Sequence, residues 1–183
     1  GTPFEGDPRY ILKTAMAEAE ELGYEYNTGP ELEFFLFRKE NGDITPLPHD
    51  SGGYFDLTTD QAYRIRGEMT SALAKFGINV EAAHHEVALG QHEIDFRYSD
   101  ALTTADNATT LRFVLKAIAQ QNGLHATFMP KPIAGVNGSG MHVHQSLFDI
   151  KTKTNAFYDE GDQYGLSKLA YGYIAGLLKH VRG

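Results

Sequence analysis

The chain has 183 residues, 42% of them hydrophobic, with a net charge of −8 and no cysteine. This length and composition allow one sizeable core and exclude a disordered chain, while the acidic balance argues against nucleic acid as the main partner. Disulfides and thiolate metal sites are excluded, no apolar run reaches the roughly 20 residues that span a bilayer, and we expect a reducing, cytoplasmic location without a membrane partner.

Hydrophobic periodicity, caps and turn residues predict a chain in which helices and strands alternate. The predicted elements, in chain order, are a helix capped by Asp7 and closed by Gly23, a strand over 31–38, a turn at 41–43, a loop over 49–54, a helix over 61–76, strands over 78–83 and 85–96, a helix over 105–122, a strand over 126–129, a Gly-rich loop over 136–140, a strand over 141–147, a polar link over 151–155, and a helix from near Leu166. This order indicates a mixed α and β chain.

Two carboxylates lie on the first predicted strand. Glu31 and Glu33 are two residues apart, which places both on one face of a strand, with Leu32 and Phe34 on the other. The apolar run to Phe37 shows no alternation and indicates a strand that is covered on both sides. A solvent-facing pair on a strand edge is the alternative.

A second acidic pair lies in the segment 84–96. If Leu89-Gly90 forms a two-residue turn, Ala88 pairs with Gln91 and Glu86 lies directly opposite Glu93. Opposed carboxylates repel each other unless one is protonated or a cation lies between them. We therefore interpret the hairpin as half of a metal site, with a solvated surface hairpin as the alternative.

Histidines and a glycine-rich loop complete the candidate site. His142 and His144 share a strand face just after Asn137-Gly138, where backbone N–H groups can approach an anionic ligand. Core imidazoles and a plain turn are the alternatives. One of His84 and His85 is a candidate contact for substrate or phosphate while the other packs, and Lys131 is a candidate phosphate contact, although an exposed lysine needs no function. With no cysteine and mostly carboxylates, a hard cation such as Mg²⁺ or Mn²⁺ fits better than zinc, which points to phosphoryl chemistry on a nucleotide.

Three motifs, G-P-E-L-E-F-F-L-F, H-H-E-V-A-L-G-Q-H-E-I-D-F and H-A-T-F-M-P-K-P-I-A-G-V-N-G-S-G-M-H-V-H, closely resemble the catalytic domain of bacterial and archaeal type I glutamine synthetase. The resemblance runs in order through essentially all 183 residues and includes G-T-P-F-E-G-D-P-R and G-G-Y-F-D-L. It implies an α+β fold, in which a curved, mainly antiparallel sheet forms part of a barrel with helices packed outside.

The resemblance also implies a function for individual residues. Two divalent cations, Mg²⁺ or Mn²⁺, and ATP are implied, together with glutamate and ammonium as substrates and a homododecamer as the assembly. The implied residues are Glu33, Glu86 and Glu93 for the metal on the glutamate side, Glu31 and His142 for the metal on the ATP side, Asn137 and Gly138 for the amino-acid substrate, Glu81, Tyr98, His144 and Ser146 for ATP, and His84 for phosphate.

The chain begins at Gly1 without methionine, and its last helical pattern runs almost to Gly183. We therefore expect part of a longer protein, in which 1–183 is a partial catalytic domain. The family's N-P-T-x-N-S-Y-K-R-L segment, its ATP-binding arginines, the third ligand of the ATP-side metal, the acidic flap and the N-terminal domain are absent from the sequence. These 183 residues alone are expected to bind metal weakly at most and not to turn over.

Two other functions stay open at this point. A γ-glutamyl ligase that uses a polyamine or another amine would share the metal and ATP motifs, because its selectivity depends on segments outside this chain. A non-catalytic structural relative is expected to lose ligands, whereas the five that this chain can show, Glu31, Glu33, Glu86, Glu93 and His142, are intact. A plain metal-binding module is disfavoured by Glu81 and Ser146.

Overall fold

The computed structural model describes residues 2–46, 52–56 and 62–182. Within these ranges the elements are α1 (Pro8–Glu21), β1 (Tyr24–Glu40), β2 (Asp43–Pro46), α2 (Tyr63–Lys75), β3 (Val80–His85), β4 (Gln91–Phe96), β5 (Ser99–Asp100), α3 (Ala101–Gln121), β6 (Leu124–Thr127), β7 (Met141–Asp149) and α4 (Lys168–His180). The predicted helices and strands occur in the predicted order, and the structure adds two short strands, β2 and β5, that were not predicted. Gln61 and residues 49–51, which were predicted in a helix and in a loop, lie outside the described residues.

The chain divides into two compact units. One comprises residues 1–28, 99–102 and 144–183, and the other comprises residues 29–98 and 103–143. The larger unit contains the segments that carry most of the predicted metal ligands, so its architecture decides how the candidate site is built.

Strand β1 organises the sheet, because β2, β4, β5, β6 and β7 all pair with it, and β3 continues the sheet beyond β4. The pairings of β1 with β2, β4, β5 and β6, and of β3 with β4, are antiparallel. The strand is longer than predicted, since it begins directly after Gly23, whose φ of 90° ends the preceding turn, and continues through Gly29-Pro30.

The two faces of β1 are both covered, as the unbroken apolar run predicted. One face packs its Leu32, Phe34 and Leu36 against helices α2 and α3. The principal core residues from the helices are Ile65, Met69, Leu73, Leu111, Val114, Leu115 and Ala119. On the opposite face, Phe35 and Phe37 form a smaller cluster with Ala88 and Ile133. The carboxylates of β1 share this second face, so they project from a rigid, doubly packed strand.

The turns behave as their glycines predict. Asn41 and Gly42 have φ values of 51° and 93°, and they join β1 to β2. Gly90 has a φ of 73°, and the N–H of Gln91 donates to the carbonyl of Ala88. The predicted turn at Leu89-Gly90 is therefore confirmed, with a Gln91 N to Ala88 O distance of 3.0 Å.

The register above that turn differs from the prediction. Glu86 does not lie directly opposite Glu93; His84 pairs with Glu93, and His85 pairs with His92. The shift arises because Ala88 leaves the ladder, is buried against the second-face cluster and donates its N–H to the side chain of Gln91. Glu86 stays on the same face as Glu93, because a shift of two residues preserves the strand alternation.

The smaller unit contains α1, the start of β1, β5 and α4. Asp7 caps α1 as predicted, accepting a hydrogen bond from the Arg9 N–H at 3.1 Å. Ser167 caps α4, which begins at Lys168, two residues after the predicted start near Leu166. The predicted link over 151–155 forms a hairpin, in which Phe148 bridges to Asn155. In the residues that the structure describes, no helix is long and apolar enough to cross a bilayer.

Candidate metal centre

Four carboxylates form two directly opposed pairs across strands β1 and β4. Glu33 lies opposite Glu93, and Glu31 lies opposite Asp95. Side chains at such positions are about 4.5–5.5 Å apart at Cβ, so the arrangement concentrates negative charge on one face of the sheet. The strand alternation predicted the shared face, whereas the opposing partner of Glu93 was predicted to be Glu86.

A third strand adds His84 and the hairpin adds Glu86. One ligand atom from each of His84, Glu86 and Glu93 lies within 4.8 Å of the other two. The imidazole contacts both acids: Nδ1 is 3.4 Å from Glu86 Oε1, and Nε2 is 3.7 Å from Glu93 Oε2. Both carboxylates are buried. The residue predicted as a phosphate contact therefore lies within the acidic cluster itself.

A second group of ligand atoms lies beside the first. The Nδ1 atom of His142 is 3.3 Å from Oε2 of Glu31. Both side chains retain access to solvent, and His142 is largely exposed. An imidazole and a carboxylate on adjoining strands leave coordination positions open, as a cation that also binds a substrate requires.

Burial and mutual repulsion raise the pKa of several of these acids. Burial, followed by hydrogen bonds and repulsion from Glu86 and Asp95, raises the pKa of Glu93 to about 9. Burial also raises the pKa of Asp95, and burial together with the nearby Glu86 raises that of Glu33. Without added positive charge, the face can reduce its repulsion only by retaining protons.

A hard divalent cation fits this donor set. The face offers carboxylate oxygens and imidazole nitrogens, and a bound cation would replace the retained protons. A further observation supports the fit: Asp95 Oδ1 is buried and has no hydrogen-bond partner within the described ranges. Buried polar atoms are normally satisfied, so an oxygen of this kind indicates room for a water or ion that contributes a partner.

Three residues near the acids were not among the sequence predictions. Asp95 and Gln91 flank Glu93 at alternate positions of β4, and this alternation was the signal that could have identified them. Tyr54 comes from a segment distant in sequence. Its ring lies 5.5 Å from that of His84, and repulsion from Glu86, to which it is hydrogen-bonded, raises the pKa of its hydroxyl. No sequence pattern indicated that contact.

The predicted substrate loop lies against the acidic face. Gly138 is packed so closely that an added Cβ would lie 2.4 Å from the Pro130 carbonyl oxygen, and Gly140 is next to Oε1 of Glu33. Asn137 is exposed at the start of this loop. Lys131 turns its ammonium group to the carbonyl of Val136, so it holds the loop closed.

The predicted ATP contacts are distributed over both units. In the larger unit, Glu81 is exposed at an irregularity of β3, and Tyr98 is exposed and packs its Cβ over Gly29. In the smaller unit, His144 is exposed on β7 and Ser146 is partly buried. Two of these four residues therefore lie in each unit.

The raised pKa values predict a pH dependence for the metal-free chain. A carboxyl whose folded pKa is about 9, against 4.5 in the unfolded chain, binds more protons when folded, so stability falls as pH rises between these values. We expect a loss of about 2 kcal/mol from pH 5 to pH 9 after allowing for solvent screening. Urea unfolding with a chelator present measures it.

The matched variant is Glu93→Gln, which has no such proton to lose and should flatten this slope. Asp95 and Glu33 shift in the same direction, whereas the lowered pKa values of Asp149 and Asp162 act only at more acidic pH. A wild-type chain whose stability rose steadily from pH 5 to pH 9 would contradict the electrostatic description of this face.

Solved structures define the class of fold. The chain superimposes on "Apo GmaS without ligand" with a TM-score of 0.90 and 34% identity, covering 100% of this chain and 43% of that one. It superimposes on the Plasmodium falciparum glutamine synthetase determined by electron cryomicroscopy with a TM-score of 0.88 and 29% identity, covering 99% of this chain and 41% of that one. The predicted α+β class, a curved antiparallel sheet with flanking helices, is confirmed.

Sequence comparison identifies the family. The family described as glutamine synthetase, catalytic domain, matches residues 5–183. The glutamine synthetase of Clostridium saccharobutylicum is 62% identical over 185 residues, and that of Thermus thermophilus is 56% identical over 186. The chain belongs to the glutamine synthetase family. It spans 41% of the length of each of these two relatives, and all of the chain is covered.

Proposed function

We propose that this chain supplies the metal-binding face of a glutamine synthetase, which joins glutamate and ammonia to form glutamine with hydrolysis of ATP. The observation that supports it most directly is the two pairs of opposed carboxylates, Glu33–Glu93 and Glu31–Asp95, with His84 and His142 at their margins. The identities of 62% and 56% with glutamine synthetases support the choice of reaction.

The acids and imidazoles have separate assignments in this proposal. Two cations, Mg²⁺ or Mn²⁺, would be held by Glu33, Glu86 and Glu93 and by Glu31 and His142, and would supply positive charge to phosphate and carboxylate oxygens. His84 lies between Glu86 and Glu93, where its imidazole can donate to an arriving phosphate oxygen or complete the ligand set.

The remaining predicted residues bind substrates. Asn137 and Gly138 hold glutamate at the edge of the acidic face, and the close packing of Gly138 on Pro130 fixes the loop there. Glu81 and Tyr98 of the larger unit, and His144 and Ser146 of the smaller unit, are each assigned to ATP by the resemblance to the family. The substrates approach the face of the sheet that carries the carboxylates, because α2 and α3 cover the other face.

The chemistry proceeds in two transfers. A γ-carboxylate oxygen of glutamate attacks the terminal phosphorus of ATP, and ADP leaves. The nitrogen of ammonia then attacks the acyl carbon of the resulting γ-glutamyl phosphate, so that phosphate leaves and a proton is released. This face contributes by positioning the reactants and, through the bound cations, by balancing their negative charge. Positioning and electrostatic stabilisation account for most of the catalysis of phosphoryl transfer.

The chain is proposed to act within a longer, cytoplasmic protein that assembles into a dodecamer. Its extent, 41% of the length of the two relatives, supports the view that 1–183 is a partial catalytic domain. None of its seven arginines lies in the three motif segments that carry the acids, so arginines that bind the phosphates must come from outside these segments. These 183 residues alone should not make glutamine.

Phosphate release by the full-length protein tests the proposal. With ATP, glutamate and Mg²⁺ present, release should depend on ammonium and be absent with putrescine. Release with putrescine alone would move the assignment to an amine ligase of the same superfamily. Silence with both amines would favour a non-catalytic relative and contradict the proposal. Normal glutamine formation by the 183-residue chain would contradict only the expectation that these residues alone are inactive.

A further inference from the structure

Gln91 is a buried amide at the base of the acidic face. It is 1% exposed, and it lies on the same side of β4 as Glu93. Its Nε2 donates to Oε2 of Glu33 at 2.7 Å and to the carbonyl of Gly138 at 3.0 Å. Its Oε1 accepts from the N–H of Ala88 at 3.0 Å. Both ends of the amide are therefore satisfied within the protein.

These contacts permit one orientation of the amide. Nε2 donates to the Glu33 carboxylate and the Gly138 carbonyl and lies 3.4 Å from Ser139 Oγ, and Oε1 meets a backbone donor. A reversed amide would place its oxygen against both acceptors and its NH₂ group against an N–H. The hydrogen bond to Glu33 is thus imposed by the two backbone groups of Ala88 and Gly138.

The same hydrogen bond orients the carboxylate of Glu33. Its Oε2 is engaged by Gln91, and its Oε1 lies beside Gly140, whose backbone N–H also hydrogen-bonds the carboxylate. A carboxylate held at both oxygens by N–H donors has little rotational freedom, and its remaining lone pairs are directed into the cluster. Partners of this kind around ligands typically change metal affinity by about 10–100-fold.

Gln91 also joins three segments that are distant in sequence. One side chain contacts Glu33 of β1, the hairpin turn at Ala88 that follows Glu86, and the substrate loop at Gly138. The position of a metal carboxylate is thereby linked to the position of the loop assigned to glutamate. Because the Gln91 amide is buried, this link runs through the protein interior.

We propose that Gln91 is a positioning residue that sets the orientation of Glu33 and, through the Gly138 carbonyl, fixes the substrate loop relative to the metal on the glutamate side. This inference rests on the proposed function for the identity of the metal and the substrate. It assigns to Gln91 a role that its neighbours on β4 do not share, because Glu93 and Asp95 contribute carboxylates and no donor.

Two substitutions in the full-length protein test this role. Gln91→Met keeps the length and removes the hydrogen bonds of the side-chain amide, and Gln91→Glu keeps the shape but places a carboxylate against Glu33. For Gln91→Met we expect Mn²⁺ affinity, measured by electron paramagnetic resonance, to fall about 10–100-fold, and KM for glutamate to rise at least about tenfold. KM for ATP should change less than about threefold. Gln91→Glu should bind Mn²⁺ more weakly than Gln91→Met.

The matched control is Asn122→Leu, since Asn122 is also an amide with three hydrogen bonds, to Glu68, Ile118 and Arg64, but it lies between α2 and α3. It should lower thermal stability without changing Mn²⁺ affinity or the KM for glutamate. If Gln91→Met does not fold, Gln91→Glu has the same size and carries the test.

The outcomes separate this inference from the function on which it rests. Wild-type Mn²⁺ affinity and KM for glutamate in Gln91→Met would overturn the positioning role while leaving the synthetase assignment intact. An equal rise in KM for ATP and glutamate would overturn it as well, because it would show general loosening. Absence of Mn²⁺ binding in the wild-type protein would overturn the proposed function itself.

Discussion

Replacing Glu33 by Gln in the full-length protein should lower kcat for phosphate release by about 1000-fold or more and weaken Mn²⁺ binding at least about 100-fold. Glu33 faces Glu93 across the strands, receives the Gln91 amide and the Gly140 N–H, and lies at the centre of the acidic face. An amide of the same shape keeps the packing but loses the charge that a cation requires. Steady-state phosphate release and Mn²⁺ titration measure both effects.

The control for this substitution is Glu40→Gln on the same strand. Glu40 is exposed and pairs with Arg38 at 3.0 Å, so its loss should leave kcat and Mn²⁺ affinity unchanged. Full turnover by Glu33→Gln would show that Glu33 is not needed for the reaction, and its assignment as a metal ligand would be wrong. A matching decline in Glu40→Gln would show that charge on β1 acts in a general way.

The second large effect is expected for Gly138→Ala. A Cβ at this position would lie 2.4 Å from the carbonyl oxygen of Pro130, which is also the acceptor for the Ser139 N–H at 2.7 Å. Because the contact is with backbone, the loop must move. Shifts of about 1 Å near a reacting centre can cost about 100-fold, so we expect KM for glutamate to rise between about 10- and 100-fold.

Gly67→Ala is the matched control, since Gly67 lies inside α2 and nothing lies within 4 Å of an added Cβ. Alanine there should stabilise the protein by about 0.5–1 kcal/mol, with KM unchanged. Differential scanning calorimetry and initial-rate kinetics on both variants give the comparison. An unchanged KM in Gly138→Ala would show that the loop does not hold glutamate in the arrangement proposed.

Much of the acidic face was predictable from strand alternation alone. Glu31 and Glu33 share one face of β1, and Leu32 and Phe34 share the other, because successive side chains of a strand point in opposite directions. The same rule applied to β4 would have added Asp95. The alternation of side chains along a strand is a local property of the backbone. It can therefore be predicted without knowing which segments pack against that strand.

The pairing between strands was less accessible. The turn at Leu89-Gly90 was predicted correctly, but the pairing of β3 with β4 is shifted by two residues from the predicted register. The shift arises because Ala88 is buried beside Phe35 and its N–H donates to the side chain of Gln91. Those partners come from β1 and from the following strand, and their competition with the regular ladder is a tertiary effect. The contact of Tyr54 with His84 depends on tertiary packing in the same way.

Each face of β1 has its own function, so the number of residues in this strand matters as much as their identity. Glu31 and Glu33 alternate with Leu32 and Phe34, and both sides are already occupied. Insertion or deletion of one residue near Glu31 would exchange the sides, so that carboxylates would enter the apolar interior and aromatic rings would replace them at the proposed cation site. Folding stability and metal binding would then be lost together. This stretch therefore does not tolerate the insertion or deletion of a single codon.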